Sequence, residues 1–271
     1  MKTFDITYKT FDPTGNRTML VTSSVSREDQ PMAAAGIMEQ HRELEQIAFV
    51  EGEGDSRRLQ MMGGEFCGNA TMSFAAMLAM EAGVESAEME VEVSGSDKKI
   101  PVTVEKDGDG WNGKVSMPLP EKCKVRNFGR YKLPVVKFDG ISHTIVTERM
   151  PKPLAEMMIR EWANKVRADA FGILLMSKDY REMTPLVYVK STDTVVAESS
   201  CASGTAAVGA WLAMEKKEPV NLTIRQPGGE LSIEVEVTDG NVSKLLLGGH
   251  VSCVEEGQMQ AEEKVFHLKH D

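Results

Sequence analysis

The stretch GGEFCGNATMSF, from Gly63 to Phe74, places Cys67 directly before a long apolar segment. A second stretch, ESSCASGTAAVGAW, from Glu198 to Trp211, places Cys201 in the same way. Each segment that follows is long enough for a helix and is apolar on every side, which is typical of a helix buried on all faces. The sequence therefore predicts two central helices, each beginning just after a cysteine.

The sequence around the two cysteines forms an internal repeat. Strand-like stretches precede each cysteine, and alternating strands with an Asp-Gly turn follow each apolar segment, at Asp107-Gly108 and Asp239-Gly240. The same order occurring twice predicts an α/β (α+β) fold of two pseudo-symmetric modules, in each of which a mixed or antiparallel sheet curls around one central buried helix. We place the N-terminal module at residues 1–119, completed by residues 259–271, and the C-terminal module at residues 120–258.

Composition and charge exclude several classes of function. The chain has 271 residues and a formal net charge of −10, which argues against a nucleic-acid surface. No apolar run approaches the ~18 residues of a membrane span, and the first residues lack the apolar core of a signal peptide. The four cysteines form no CxxC pair and no cluster with histidine, so we expect no metal site and free thiols. These features predict a cytoplasmic protein.

The position of the two cysteines has a chemical interpretation. The first turn of a helix presents unpaired N–H groups and a partial positive charge, which favour a carboxylate and lower the pKa of a thiol. Two such thiols facing each other across a cleft could remove and return the α-proton of an amino acid on opposite faces. One cysteine before an apolar helix is usually just a small buried residue. The repetition favours catalysis, and Cys123 and Cys253 lack this sequence context.

Six motifs carry a resemblance to a known family. They are FCGNAT, SCASGTAAVGA, FDPTGNRTML, DGISHTIV, RQPGGELSIEVE and LLLGGHVSCVEEG. In this order, over nearly the whole chain, the sequence resembles the diaminopimelate epimerase superfamily of amino-acid racemases that need no cofactor. The resemblance implies the fold of that superfamily, catalysis by Cys67 and Cys201, no pyridoxal phosphate or other cofactor, and a homodimer. It also implies a set of substrate-binding residues: Asn16, Gly68, Asn69, His143, Gly204 and Thr205. We add three candidates of the cysteine motifs to this set: Glu65, Glu198 and Ser203.

Departures from the superfamily pattern bear on the substrate. The asparagine expected after Gly140 is absent, and Thr192-Asp193-Thr194 stands where a Glu-Arg pair is expected. Without a guanidinium group, a distal substrate carboxylate would be poorly matched. Acidic residues such as Glu65 and Glu198 instead suit a cationic or hydrogen-bond-donating side chain. The motifs are most similar to those of histidine racemases, so we predict interconversion of L- and D-histidine.

Alternative hypotheses differ in the residues that they require. A diaminopimelate epimerase, or a racemase of another basic or neutral amino acid, would use the same cysteines. A catalytically silent binding protein would be expected to lack one cysteine. A phenazine-type isomerase of the same fold uses a glutamate in place of the pair, and a pyridoxal-dependent racemase would need a lysine in one of the motifs.

Overall fold

The computed structural model describes residues 2–264 of the protein. Its helices are α1 (Gln30–Gln40), α2 (Gly68–Ala82), α3 (Lys152–Val166) and α4 (Ala202–Lys216). The strands of the first part of the chain are β1 (Thr3–Pro13), β2 (Thr18–Val21), β3 (Gln46–Glu51), β4 (Arg58–Met61), β5 (Ser86–Val93), β6 (Ile100–Asp107) and β7 (Gly110–Ser116). The remaining strands are β8 (Lys122–Phe128), β9 (Tyr131–Lys137), β10 (Ile141–Val146), β11 (Ala170–Met176), β12 (Met183–Val189), β13 (Thr194–Ala197), β14 (Val220–Gln226), β15 (Gly229–Thr238) and β16 (Asn241–Glu262).

The two central helices form where the apolar segments predict them. Helix α2 begins directly after Cys67, and every residue from Gly68 to Met77 is buried. Helix α4 begins directly after Cys201, and every residue from Gly204 to Ala210 is buried. Burial on all faces follows from the lack of a polar stripe in either segment. The prediction of two buried central helices is confirmed.

The chain divides into two compact units. Within the described residues, the first unit consists of 2–115 and 248–264, and the second consists of 116–247. The first module limit inferred from the repeat, between residues 119 and 120, differs from the observed boundary by a few residues. The second, between residues 258 and 259, differs by about one strand's length. The module limits stay a prediction. Residues 265–271, which we expected to complete the N-terminal module, lie outside the described residues.

In the first unit a curled sheet surrounds α2. The strand order is β1-β2-β3-β4-β5-β6-β7, and the C-terminal part of β16 pairs antiparallel with β1, from Thr3 opposite Glu262 to Pro13 opposite Val251. Helix α2 contacts β1 and β2 and also β5 and β6. Because one helix touches strands near both ends of the order, the sheet must curl around it.

In the second unit two groups of strands enclose α4. One is a six-stranded sheet in the order β13-β12-β11-β10-β9-β8, and the other contains β14, β15 and the first part of β16. Helix α4 contacts β9 and β10 of the first group and β14 and β15 of the second. The hairpin between β15 and β16 turns at Asp239 and Gly240, whose φ angles are 52° and 74°, as a type I′ turn requires.

Each unit also contains a second helix that the sequence reasoning did not single out. Helix α1 connects the parallel strands β2 and β3, and α3 connects the parallel strands β10 and β11. Trp162 of α3 is fully buried and stacks on Phe128 at 4.6 Å between ring centroids. No helix within residues 2–264 is both long and apolar enough to cross a membrane.

Candidate active site

Cys67 is the N-cap residue of α2. Its backbone is extended, with φ −131° and ψ 113°, and its Sγ accepts the N–H of Ala70 at 3.5 Å. The Cys67 carbonyl accepts both the N–H of Thr71 at 2.9 Å and its hydroxyl at 2.7 Å. The cysteine therefore replaces the Ser, Thr, Asp or Asn that usually caps a helix, and its sulfur lies at the positive end of the helix.

The loop before Cys67 is held by the chain segment that follows β5. The hydroxyl of Ser94 donates to the carbonyl of Glu65 at 2.8 Å and accepts the N–H of Met61 at 2.9 Å. The next residue, Gly95, has φ 70° and lies so close to Phe66 that a Cβ would overlap its backbone nitrogen. Only glycine fits there, because the position combines a left-handed conformation with a close backbone approach.

The structure shows the local surroundings of Glu65 and Asn16. The Glu65 carboxylate folds back over Gly63, and desolvation raises its pKa, although the backbone N–H groups of Glu65 and Gly63 oppose this rise. Asn16 is buried in the turn between β1 and β2 and donates to Glu45 at 2.6 Å. Its Oδ1 atom is buried and has no hydrogen-bond partner among residues 2–264. Asn69, the second residue of α2, is also buried.

Cys201 repeats the N-cap arrangement at α4. Its φ and ψ angles are −124° and 105°, and its Sγ accepts the N–H of Gly204 at 3.3 Å. Burial, followed by the charge and hydrogen bond of Glu198, raises the pKa of the thiol well above its ordinary value. The Ser203 hydroxyl and the Gly204 N–H lower the pKa but do not offset this rise. The helix end does lower the pKa of this thiol, but the prediction of a low net pKa is wrong, because the sulfur is almost completely removed from water.

A buried histidine lies next to this cysteine through Ser203. The His143 Nε2 atom and the Ser203 Oγ atom are 2.8 Å apart, and Ser203 Oγ lies 3.6 Å from Cys201 Sγ. Burial lowers the pKa of His143 to about 3, so its ring is neutral at physiological pH. Gly172 faces His143 in the neighbouring strand, and a Cβ there would overlap the ring. His143, Ser203, Glu198 and Cys201 thus form one cluster in the second unit.

Sequence reasoning missed Gln226, which the structure brings to the same cluster. Gln226 is the last residue of β14, and its Oε1 atom accepts the N–H of Cys201 at 2.8 Å. Its Nε2 atom donates to the Thr205 hydroxyl at 2.9 Å. A signal was available, since Gln226 stands directly before the Pro-Gly-Gly turn that the family resemblance already included.

The backbone N–H groups of the predicted carboxylate site are only partly available. The Thr205 N–H donates to the Cys201 carbonyl at 2.9 Å, and the Gly204 N–H is the one that reaches Sγ. A carboxylate at the end of α4 would therefore meet the N–H groups of Ala202 and Ser203, the first two helical residues. The roles of Gly204 and Thr205 in substrate binding stay predictions. In the described residues, no group of three or more His, Cys, Asp or Glu side chains could hold a metal ion.

An arginine also reaches the segment where none was expected. The Arg160 guanidinium of α3 donates to the Asp193 carboxylate at 2.7 Å and to its carbonyl at 3.1 Å. Arg160 and Asp193 are 33 residues apart in the chain, so the sequence motifs did not predict this ion pair. Both side chains are about half exposed. Because Arg160 already forms an ion pair with Asp193, its positive charge is not free to bind a substrate carboxylate.

Comparison with solved structures defines the class of fold. A structure described as a predicted epimerase from Pseudomonas aeruginosa superposes with a TM-score of 0.69, at 17% sequence identity, and the match covers 94% of this chain and 99% of that one. At this level of identity the similarity concerns the fold alone. Together with the two capped helices, it places the chain among the proteins with a two-module racemase and epimerase fold.

The sequence comparisons identify the family. A family model described as the histidine racemase CntK N-terminal domain matches residues 5–260, so the chain belongs to this family. A histidine racemase from Fusobacterium nucleatum is 32% identical over 258 residues, covering 92% of this chain and 94% of that protein. A histidine racemase from Staphylococcus aureus is 26% identical, covering 95% and 98% respectively. The protein is an isomerase of the racemase and epimerase class.

Proposed function

We propose that the protein interconverts L- and D-histidine without a cofactor, using Cys67 and Cys201 as the two acid–base groups. The observation that carries this proposal is the repeated N-cap cysteine: each sulfur accepts a backbone N–H at the start of a buried helix. Membership of the histidine racemase family supports the substrate.

The proposed reaction consists of two proton transfers at the α-carbon. One cysteine, as a thiolate, removes the α-proton, and the electron pair of the C–H bond moves toward the substrate carboxylate. The N–H groups at the helix ends stabilise the resulting enolate-like charge. The other cysteine, as a thiol, donates its proton to the opposite face and becomes the thiolate. The product is the mirror-image amino acid, and no group other than a proton is gained or lost.

The second unit suits the role of proton donor in the resting enzyme. Burial and Glu198 raise the pKa of Cys201, so it starts as a thiol. In this proposal Cys67, which is only partly buried, is the base. A substrate carboxylate bound beside Ala202 and Ser203 would share the helix end with the sulfur. His143, which is neutral, contacts Ser203 without adding a charge beside the cysteine.

Histidine is the proposed substrate because, within residues 2–264, the segment before Cys201 shows no unpaired guanidinium group that would match a second carboxylate. The expected Glu-Arg pair is absent from the segment before Cys201, and the nearby Arg160 is already paired with Asp193. An imidazole side chain needs only hydrogen-bond partners or an acid, such as Glu65 or Glu198. Diaminopimelate epimerisation is therefore the less favoured alternative. The homodimeric state and the cytoplasmic location inferred from the sequence remain predictions.

The direct test is a comparison of substrates. The purified protein, without added pyridoxal phosphate, is incubated with L-histidine, D-histidine, diaminopimelate, lysine and arginine, and the stereoisomers are separated by chiral chromatography. We expect histidine to turn over in both directions, and diaminopimelate at least about a hundredfold more slowly, because a buried unpaired carboxylate costs several kcal/mol. Faster turnover of diaminopimelate would refute the histidine assignment.

A further inference from the structure

Gln226 closes a ring of hydrogen bonds around the cap of α4. Its Oε1 atom accepts the Cys201 N–H at 2.8 Å, and its Nε2 atom donates to the Thr205 hydroxyl at 2.9 Å. The Thr205 hydroxyl donates in turn to the Cys201 carbonyl at 2.8 Å. The three residues are 5%, 0% and 4% exposed, for Gln226, Thr205 and Cys201, so water does not compete for these bonds.

The ring holds both backbone polar groups of Cys201. An N-cap residue has non-helical backbone angles, and its own N–H has no partner within the helix. Here one side-chain amide holds the N–H directly and the carbonyl through Thr205, which restricts the backbone rotation that sets the direction of Sγ. The backbone on either side of Gln226 is itself held, because the Arg225 N–H donates to the Arg181 carbonyl and the Gly228 N–H donates to the Ser199 carbonyl, both at 2.8 Å.

We propose that Gln226 is a positioning residue for Cys201: it keeps the Cys201 sulfur and the first turn of α4 in the geometry that the reaction needs. This inference rests on the proposed function, because the need for that geometry comes from the proton transfer. The position requires an acceptor and a donor on one planar group, which glutamine supplies. Near-attack geometry is sensitive to shifts of about 1 Å, so a loosened cap would slow the chemical step.

The equivalent segment of the first unit holds its loop differently. Ser94, which follows β5, binds the carbonyl of Glu65 and the N–H of Met61. Thr71, at the position that matches Thr205, donates its hydroxyl to the Cys67 carbonyl at 2.7 Å. The clamp of the first unit therefore includes a backbone group two residues before its cysteine, whereas Gln226 binds the backbone of Cys201 itself. Loss of Gln226 should affect one cysteine only.

Three variants test the proposal on the full-length chain. Gln226→Met keeps the length of the side chain and removes both hydrogen bonds. Gln226→Glu restores an acceptor and a donor only while the carboxyl is protonated, and burial raises the pKa of such a group. The matched control, Thr144→Val, removes another buried hydroxyl of the second unit, which bonds the Pro134 carbonyl at 2.9 Å. Thr144 follows His143 in β10, so its side chain lies on the opposite face of the strand.

The first measurement needs no substrate. Iodoacetamide labelling followed by peptide mass spectrometry gives the rates for Cys201 and Cys67 in the same sample. With Gln226→Met we expect the ratio of the Cys201 rate to the Cys67 rate to rise about threefold or more, because the freed cap opens locally. Thr144→Val should leave the ratio unchanged. An unchanged ratio in a folded Gln226→Met variant would overturn the proposal, whether or not histidine is the substrate.

The second measurement uses histidine in deuterated water. For Gln226→Met we expect racemisation to fall roughly tenfold or more in kcat with little change in KM. In this variant deuterium should enter the remaining substrate of one enantiomer, because Cys67 still removes the proton on its face and slowed inversion gives its thiol time to exchange with solvent. The racemisation rate of Gln226→Glu should approach the wild-type rate at about pH 6 and fall far below it at about pH 9.

Two outcomes would show a merely structural role and overturn the proposal. One is a proportional loss of exchange, inversion and thermal stability in Gln226→Met. The other is a rate of Gln226→Glu, relative to the wild-type rate, that does not change with pH. If the wild-type protein did not racemise histidine, the proposed function would fail while the labelling result would still decide the role of Gln226.

Discussion

The caps of α2 and α4 share one backbone plan and differ in their surroundings. At both, a cysteine sulfur accepts the N–H three residues later, and a threonine four residues later binds the cysteine carbonyl. Cys67 is partly buried, whereas Cys201 is 4% exposed and touches Ser203 and Glu198. The helix end therefore fixes the position of a thiol, but burial and neighbouring charge decide its protonation.

The largest effect is expected from removing either sulfur. Cys67→Ser and Cys201→Ser should each lower histidine racemisation by roughly 10²–10⁴-fold or more, because a hydroxyl is a far weaker acid–base group at neutral pH. Chiral chromatography measures the loss. Cys123→Ser, in the strand β8, serves as the control and should retain activity. Near-normal racemisation by either of the first two variants would remove that cysteine from the mechanism.

A smaller effect is expected from Gly172→Ala, which acts on the second unit alone. The added Cβ would overlap the ring of His143 and displace it from Ser203. We expect a loss of about 1–3 kcal/mol in unfolding free energy, the usual cost of overpacking, together with a drop in kcat. Urea unfolding and steady-state kinetics measure the two effects.

The control for this prediction is another glycine of the second unit. Gly240→Ala puts a side chain where nothing lies within 4 Å but where φ is 74°. It should cost about 1 kcal/mol through backbone strain and leave kcat unchanged. If Gly172→Ala had the same unfolding free energy and the same kcat as Gly240→Ala, the position of the His143 ring would not matter for activity.

The pH dependence of stability should report on the buried histidine of the second unit. His143 has a folded-state pKa of about 3, below its ordinary 6.5, because it is buried neutral. The unfolded state therefore binds the proton first, and this contribution to stability is present above about pH 6.5 and lost as the pH falls toward 3. At pH 5 the loss should reach about 2 kcal/mol. Urea unfolding at pH 7 and pH 5 should show this difference in the wild-type protein and not in His143→Gln.

Substitution of an exposed histidine provides the comparison for that experiment. His250→Asn, on an exposed position of β16, should keep the wild-type difference between the two pH values. Should His143→Gln also keep it, the buried neutral ring would not be the source of the acid sensitivity.

The smallest predicted effect compares the two threonines that bond the cysteine carbonyls. Thr205 also accepts the Gln226 amide, whereas the described bonds of the Thr71 hydroxyl reach only the Cys67 carbonyl. Thr205→Val should therefore be more destabilising than Thr71→Val by about 1 kcal/mol, the cost of leaving a buried donor unsatisfied. Thermal unfolding of both variants measures it. Equal losses would mean that the Gln226 amide finds another partner.

The sequence predicted the parts of the fold that depend on local pattern. The apolar segments after Cys67 and Cys201 predicted both central helices, and the Asp-Gly steps predicted hairpins, because these features are set by neighbouring residues. The repeat further predicted that a sheet must curl around each helix. Helices α1 and α3 were not singled out.

What the sequence could not supply depends on contacts distant in the chain. Gln226 lies 25 residues from Cys201, and Arg160 lies 33 residues from Asp193. The pKa of Cys201 could not be predicted for the same reason, since the 4% exposure of this residue is a property of the folded unit and not of the local motif. Motifs identify the residue types that a reaction needs, whereas positioning and pKa depend on how the chain folds around them.

The central claim, that two sulfurs act on opposite faces of one α-carbon, is tested most directly by isotope transfer. The wild-type protein converts L-histidine, and separately D-histidine, in deuterated water, and early samples are separated by enantiomer and analysed by mass spectrometry. Two bases predict that the product carries one deuterium at Cα while the remaining substrate stays almost free of deuterium, in both directions. Equal deuterium in substrate and product, or direct return of the original proton to the product, would show a single base and contradict the account.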